Sequence, residues 1–217
     1  MTAGPILVIG RTGQVAQALA HAGGASVICL GRPDADLKVD ASLERALDRH
    51  APIAVINAGG FTLVDKAEAE PDEARLLNVD GPRALARACS ARGIPMIHLS
   101  TDCVFDGELA RPYRPDDAPS PICIYGQTKL DGELAVAEEF DCHLIVRVSW
   151  IFSRFGHNFV RTMLSLARTR DRVSVVSDQV GCPTHAPALA SALLAMARQV
   201  AEPGFDAWGT YHLAGRG

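Results

Sequence analysis

Apolar residues in this chain gather in short unbroken runs. Pro5-Ile6-Leu7-Val8-Ile9, Ser26-Val27-Ile28-Cys29-Leu30, Ile53-Ala54-Val55-Ile56-Asn57, Ile94 to Ser100 and His143 to Ser149 are each bounded by glycine, proline or polar residues. Runs of this length without alternation are strands buried on both faces, as in a parallel sheet. Helical spacing fills the gaps: Val15 to Leu19, then Leu43, Ala46 and Leu47 behind Asp40 and Ser42, then Pro71 to Val79. Leu85, Ala86 and Cys89 follow Asp80-Gly81-Pro82, which places a proline near the first turn of a separate helix. Strand alternating with helix predicts an α/β fold, a doubly wound parallel sheet with helices on both faces. Beyond His143 to Ser149 the pattern predicts a helix from Asn158 to Arg170, a strand from Val173 to Val176 and a helix from Pro187 to Val200.

Composition adds mainly exclusions. The 217 residues are enough for one domain, or one domain with a small lobe. With 48% hydrophobic and 21% charged residues and a net charge of −4, the chain lacks the basic excess that nucleic acid or an anionic membrane attracts. The longest apolar run, Ala188 to Ala197, is too short to cross a bilayer, and the N-terminus shows no charged leader, so a cytoplasmic protein is expected. The six cysteines have no C-x-x-C spacing and predict reduced thiols, with neither a disulfide framework nor a metal site.

Three places along the alternation carry candidate chemistry. After the first strand comes Gly10-Arg11-Thr12-Gly13-Gln14-Val15-Ala16, a glycine turn opening a helix. Glycine lets the backbone approach a diphosphate, and the free N–H groups of the helix start meet its charge, so the turn is a candidate dinucleotide site. A tight turn before any helix would look the same. At the end of the second strand, where an acid would grip the ribose of NAD, the chain has Leu30-Gly31-Arg32. An arginine there fits the 2′-phosphate of NADP, and it fits equally a solvated loop charge.

The third place begins at Thr101, at the carboxyl end of the fourth strand, the edge where open parallel sheets hold their ligands. After a proline-marked loop from Asp106 to Pro121, Tyr125 and Lys129 stand four apart in a helical pattern. On one helix face a cation stabilises a phenolate, which makes a proton donor; a surface Tyr beside a solvated Lys has the same spacing. His98, inside the fourth strand, reads as a packed residue.

Taken together, the glycine turn, Thr101 and Tyr125-x-x-x-Lys129 resemble the extended short-chain dehydrogenase/reductase family. Phe61 to Glu68, Asn78 to Pro82, Leu99 to Gly107 and Asp178 to Thr184 narrow the resemblance to the dTDP-4-dehydrorhamnose reductases. The resemblance implies a Rossmann-like sheet over 1–150 and a small, incomplete substrate lobe over 151–217, interleaved with the sheet. It implies NADPH, or NADH, reducing the C4 keto group of a dTDP-linked 4-keto-6-deoxy sugar, as in dTDP-L-rhamnose synthesis. It assigns catalysis to Thr101, Tyr125 and Lys129, with Lys129 also holding the nicotinamide ribose and lowering the Tyr125 pKa. Cofactor contacts fall on Gly10, Thr12, Gly13, Gln14 and Val15, with Asp40 at the adenine and Ala58, Gly59 and Thr62 along the groove. Val64, Asp102 and Trp150 join Thr101 and Tyr125 on the sugar-nucleotide side.

Two departures accompany it. Cys103 stands where these reductases usually carry tyrosine, and the chain stops at Gly217, where family members continue through further helices. The expectation is a chain that binds cofactor but holds sugar nucleotide poorly, with the Pro187 to Val200 helix uncovered and free to pair with a second copy. Another nucleotide-sugar reductase or epimerase, or a non-catalytic NADP-binding regulatory subunit, shares the motifs; retention of Thr101, Tyr125 and Lys129 together favours an enzyme.

Overall fold

The computed structural model describes residues 4–215; the chain end at Gly217 lies outside them. Its centre is a six-stranded, all-parallel sheet in the order β2-β1-β3-β4-β5-β8. The first five strands, β1 (Ile6–Ile9), β2 (Val27–Leu30), β3 (Ala54–Asn57), β4 (Met96–Thr101) and β5 (His143–Val148), are the five runs expected from the sequence. β8 (Gly209–Leu213) was not foreseen, because its polar, half-buried residues have no apolar run; it pairs with β5 at the sheet edge.

Alternate residues of each strand feed the two faces. Ile6, Val8, Ile56, Ile97 and Val146 meet α1 (Gln14–Gly23) and α8 (Ala186–Gln199), while Leu7, Ile9, Val55, Met96 and Ile145 meet α2 (Asp40–His50) and α5 (Gly81–Ser90) on the other side. The expectation of an uncovered α8 is overturned. Leu189, Ala190, Leu193, Leu194 and Ala197 form one helical stripe, all buried on α1 and the sheet. β8 and α8 thus return the end of the described chain to the sheet, and residues between β5 and α8 form the part that stands off it.

In that part the structure differs from the pattern in three ways. The helix is shorter, α7 (Phe159–Leu166), started by the Asn158 side chain accepting from the Arg161 N–H at 3.1 Å. Val173 to Val176 form no strand: residues 167–180 are all exposed and no neighbouring strand offers backbone partners. Two short strands that no apolar run marks, β6 (Ile151–Phe152) and β7 (Thr184–His185), pair in parallel.

The two helices read at Pro71 and Asp80 are one continuous run. α4 (Pro71–Arg75) passes through a wider π turn, Leu76–Asp80, into α5 without leaving helical backbone angles. Pro82 explains the widening: its ring would clash with the carbonyl four residues back, that of Asn78, and it has no N–H to bond it.

Candidate active site

The carboxyl ends of β1, β3, β4 and β5 border a cavity of about 550 Å³. From the β1 side it is lined by Thr12, Gly13, Gln14 and Val15. The first turn of α1 has no side-chain cap and no acidic residue, so its N–H groups stay open to the cavity. Gly10 lies beneath this turn at φ 128°, where a Cβ would sit 3.2 Å from the Ala58 carbonyl, so the crossing of the β1 and β3 loops requires glycine there.

Ala58, Gly59 and Thr62 line the second side, with Gly60 and Phe61 between them. This loop is fastened by Asn78, whose Oδ1 accepts from the Phe61 N–H at 2.8 Å and whose Nδ2 donates to the Phe61 carbonyl at 3.2 Å and to Thr128 Oγ1 at 3.1 Å. The π turn turns Asn78 inward, and one buried amide joins the loop at Phe61 to α6 (Ile124–Glu139). Gly132 on α6 completes the contact, since a Cβ there would stand 2.0 Å from the Asn78 carbonyl.

Thr101, Asp102, Tyr125 and Lys129 meet on the third side. Tyr125 lies in the first turn of α6, started by Cys123 Sγ accepting from the Gly126 N–H at 3.4 Å and by Glu68 accepting from the Ile124 N–H at 2.8 Å. Thr101 Oγ donates to Asp102 Oδ1 at 3.1 Å and accepts from the Cys103 N–H at 3.1 Å; Ser149 Oγ donates to the other Asp102 oxygen at 2.5 Å. Lys129 Nζ donates to the Leu99 carbonyl at 2.6 Å.

Burial holds the lysine pKa down at about 8, with Glu133 resisting the shift. The phenol does not move as expected. Burial pushes the Tyr125 pKa up, Cys103 adds to the shift, and the Thr101 hydroxyl pulls the other way, so Tyr125 stays protonated at neutral pH. His98 is fully buried and neutral, its pKa driven well down by burial and by Lys129; its Nδ1 meets Asn57 Nδ2 at 3.0 Å, and it does not line the cavity.

Trp150 lines the fourth side in a left-handed conformation, φ 42°. A Cβ on Gly181 would stand 2.3 Å from its ring, which gives the irregular Asp178 to Thr184 segment a purpose: it backs the indole. Gly156, His157 and Asn158 also line this side, and the sequence did not single them out. They are set by Gln14, whose Oε1 accepts from Ser153 Oγ and Asn158 Nδ2, both at 2.9 Å, and whose Nε2 donates to the Ile151 carbonyl at 3.2 Å. No local pattern announces partners so distant in the chain.

The structure leaves five expected site residues outside the cavity lining. Gly10 supports the turn, Val64 opens α3 (Val64–Ala69) while Leu63 lines the cavity, and Cys103 tucks its carbonyl against Gly126. Asp40 begins α2 on the surface. Arg32 is exposed beyond β2, beside Arg11, whose guanidinium donates to the Arg32 carbonyl at 2.9 Å and lies 3.5 Å from Asp34. All six cysteines are free thiols.

With this geometry in view, comparison with known proteins is decisive. The family model described as the RmlD substrate binding domain matches residues 4–217. A dTDP-4-dehydrorhamnose reductase of Sinorhizobium fredii is 43% identical over 98% of this chain and 73% of its own length. The chain belongs to the dTDP-4-dehydrorhamnose reductase family. That family consists of NAD(P)H-dependent oxidoreductases. Its Bacillus anthracis member, solved in complex with NADP, superposes with a TM-score of 0.93 at 30% identity, covering 100% of this chain and 76% of that one. A Brucella ovis UDP-glucose 4-epimerase, at 21% identity and TM-score 0.82 over 98% of this chain and 78% of its own, shares the fold. No helix among the described residues is long and apolar enough to cross a membrane.

Proposed function

We propose that this chain reduces the C4 keto group of a dTDP-linked 4-keto-6-deoxy sugar with NADPH, converting dTDP-4-dehydro-L-rhamnose to dTDP-L-rhamnose in the cytoplasm. The observation that carries the reading is the convergence of an uncapped helix start, Thr101, Tyr125 and Lys129 on one cavity. The residues present fit the cofactor: glycine backbone and open N–H groups suit a diphosphate, and Tyr125 and Lys129 border the cavity where a nicotinamide ribose would lie. Arg32, beyond the end of β2, and Arg11, which reaches it from the turn after β1, suit a 2′-phosphate, which favours NADPH over NADH.

When bound, the cofactor supplies a hydride to the carbonyl carbon. Tyr125 gives its phenolic proton to the carbonyl oxygen, so the C=O double bond becomes a C–O single bond with a new C–H and a new O–H, and the charge left behind rests on the phenolate. Lys129 stabilises that phenolate, and the Thr101 hydroxyl, turning its proton from Asp102 Oδ1 to the substrate, holds the oxygen in place. Trp150 and Asp102 face the sugar nucleotide, and the residues that follow Trp150 close over it.

Turnover of Tyr125→Phe tests the assignment. The variant is expected to bind NADPH as wild type does and to turn over roughly 10²- to 10⁴-fold more slowly, the size of a lost general acid. Unchanged turnover would remove Tyr125 from the chemistry. A panel of nucleotide-linked 4-keto sugars tests the substrate, because Cys103 stands where the resemblance implies a tyrosine; NADPH consumption with none of them would favour the regulatory-subunit reading.

A further inference from the structure

Behind Lys129, one turn along α6, lies Glu133, and facing it from β5 lies Arg147. The three bonds between them are Nε to Oε1 at 2.9 Å, Nε to Oε2 at 3.2 Å and Nη2 to Oε2 at 2.6 Å, with side chains 7% and 6% exposed. Arg147 is held in turn: its guanidinium lies 5.0 Å from the centre of the Phe105 ring, and Phe105 stacks on Tyr113 at 4.2 Å. A carboxylate clamped in this way cannot rotate out to water.

We propose that Glu133, fixed by Arg147, is a positioning residue for the reduction, the buried counter-charge that keeps the Lys129 ammonium cationic and aimed at the cavity. The proposal rests on the reading of Lys129 given above. The groups that face Lys129 leave this task to Glu133. On α6 its other neighbour is Tyr125, a neutral phenol. On β4 it is His98, a neutral ring. After β4, Asp102 keeps its charge, but it bonds Thr101 and Ser149 and acts on Tyr125. Arg147 is a cation, and Glu133 lies between the two, bonded to Arg147 and one helical turn from Lys129. Consistent with this, Glu133 is what raises the Lys129 pKa against the pull of burial. An ammonium in the sheet–helix interface, bonded to one neutral carbonyl, needs a nearby anion to keep its proton.

The test compares the pH profiles of turnover and the melting midpoints of wild type, Glu133→Gln, Glu133→Gln/Arg147→Met and Lys129→Met. In wild type, turnover falls as pH rises through the Lys129 pKa of about 8. In Glu133→Gln this limb is expected to move down by about one pH unit, so that turnover drops more at pH 8 than at pH 6.5. Glu133→Gln also strands a buried Arg147 and melts lower. The double variant removes that stranded charge, and is expected to regain the melting midpoint while the limb stays shifted. If the limb of the refolded double variant coincides with wild type while Lys129→Met is inactive, Glu133 is a structural ion pair and the proposal is overturned. Wild-type turnover in Lys129→Met would overturn the role of Lys129 itself, and the proposal with it.

Discussion

Lys129 makes opposite demands on stability and on activity. Its pKa falls from 10.5 in the open chain to about 8 in the fold, so between those values the unfolded state holds more protons. Unfolding free energy therefore rises with pH across that window, and the cost of burying the charge is felt in full below it. Chemical denaturation of wild type against Lys129→Met should show the wild type gaining relative stability from about pH 8 to 10, while turnover falls over the same range. At Trp150 the relevant neighbour is Gly181. Gly181→Ala puts a methyl group 2.3 Å from the indole, so Trp150 must move, and KM for the sugar nucleotide is expected to rise about tenfold with the cofactor KM unchanged. Steady-state kinetics with each substrate varied in turn checks this. Tyr125 and Lys129 were legible in the sequence because helical geometry alone brings residues four apart together. Arg147, Ser153 and Asn158 were not, because their partners lie on other elements and nothing in their own neighbourhood marks them.

The run from Pro71 to Ser90 shows how one residue sets an element's shape. Read locally, Asp80-Gly81-Pro82 looks like a helix start; in the fold Pro82 widens the turn before it, and the freed Asn78 ties the Phe61 loop to α6. The strands were readable because burial on both faces leaves continuous apolar runs. β8 was not, since an edge strand with one covered side keeps polar residues. Gly132 offers a test in which two effects oppose each other. Glycine to alanine inside a helix ordinarily gains about 0.5–1 kcal/mol. Here the new Cβ would lie 2.0 Å from the Asn78 carbonyl, and relieving that overlap costs about 1–3 kcal/mol or more. Gly132→Ala is therefore expected to lower the unfolding free energy in urea, and a more stable variant would show that α6 does not press on the π turn.

At the scale of the molecule, the sheet and its two helical layers form a closed core, while the segment between β5 and α8 has little interior. α7 contains no buried residue, Phe159 and Leu164 are 59% and 62% exposed, and residues 167–180 are exposed throughout. Trypsin is expected to cut first at Arg168, Arg170 or Arg172 and to leave the sheet intact, which mass spectrometry of the early fragments would reveal; an earlier cut in α6 or α8 would contradict it. Among the contacts that join this segment to the sheet are those of Gln14, whose partners lie 137, 139 and 144 residues downstream. On the ribosome, at about 5–20 residues per second, Asn158 emerges roughly 7–30 seconds after Gln14. The turn between β1 and α1 is thus among the first pieces synthesised and among the last to acquire its final neighbours, so during translation it reaches its folded surroundings only once residues 151–158 have been made.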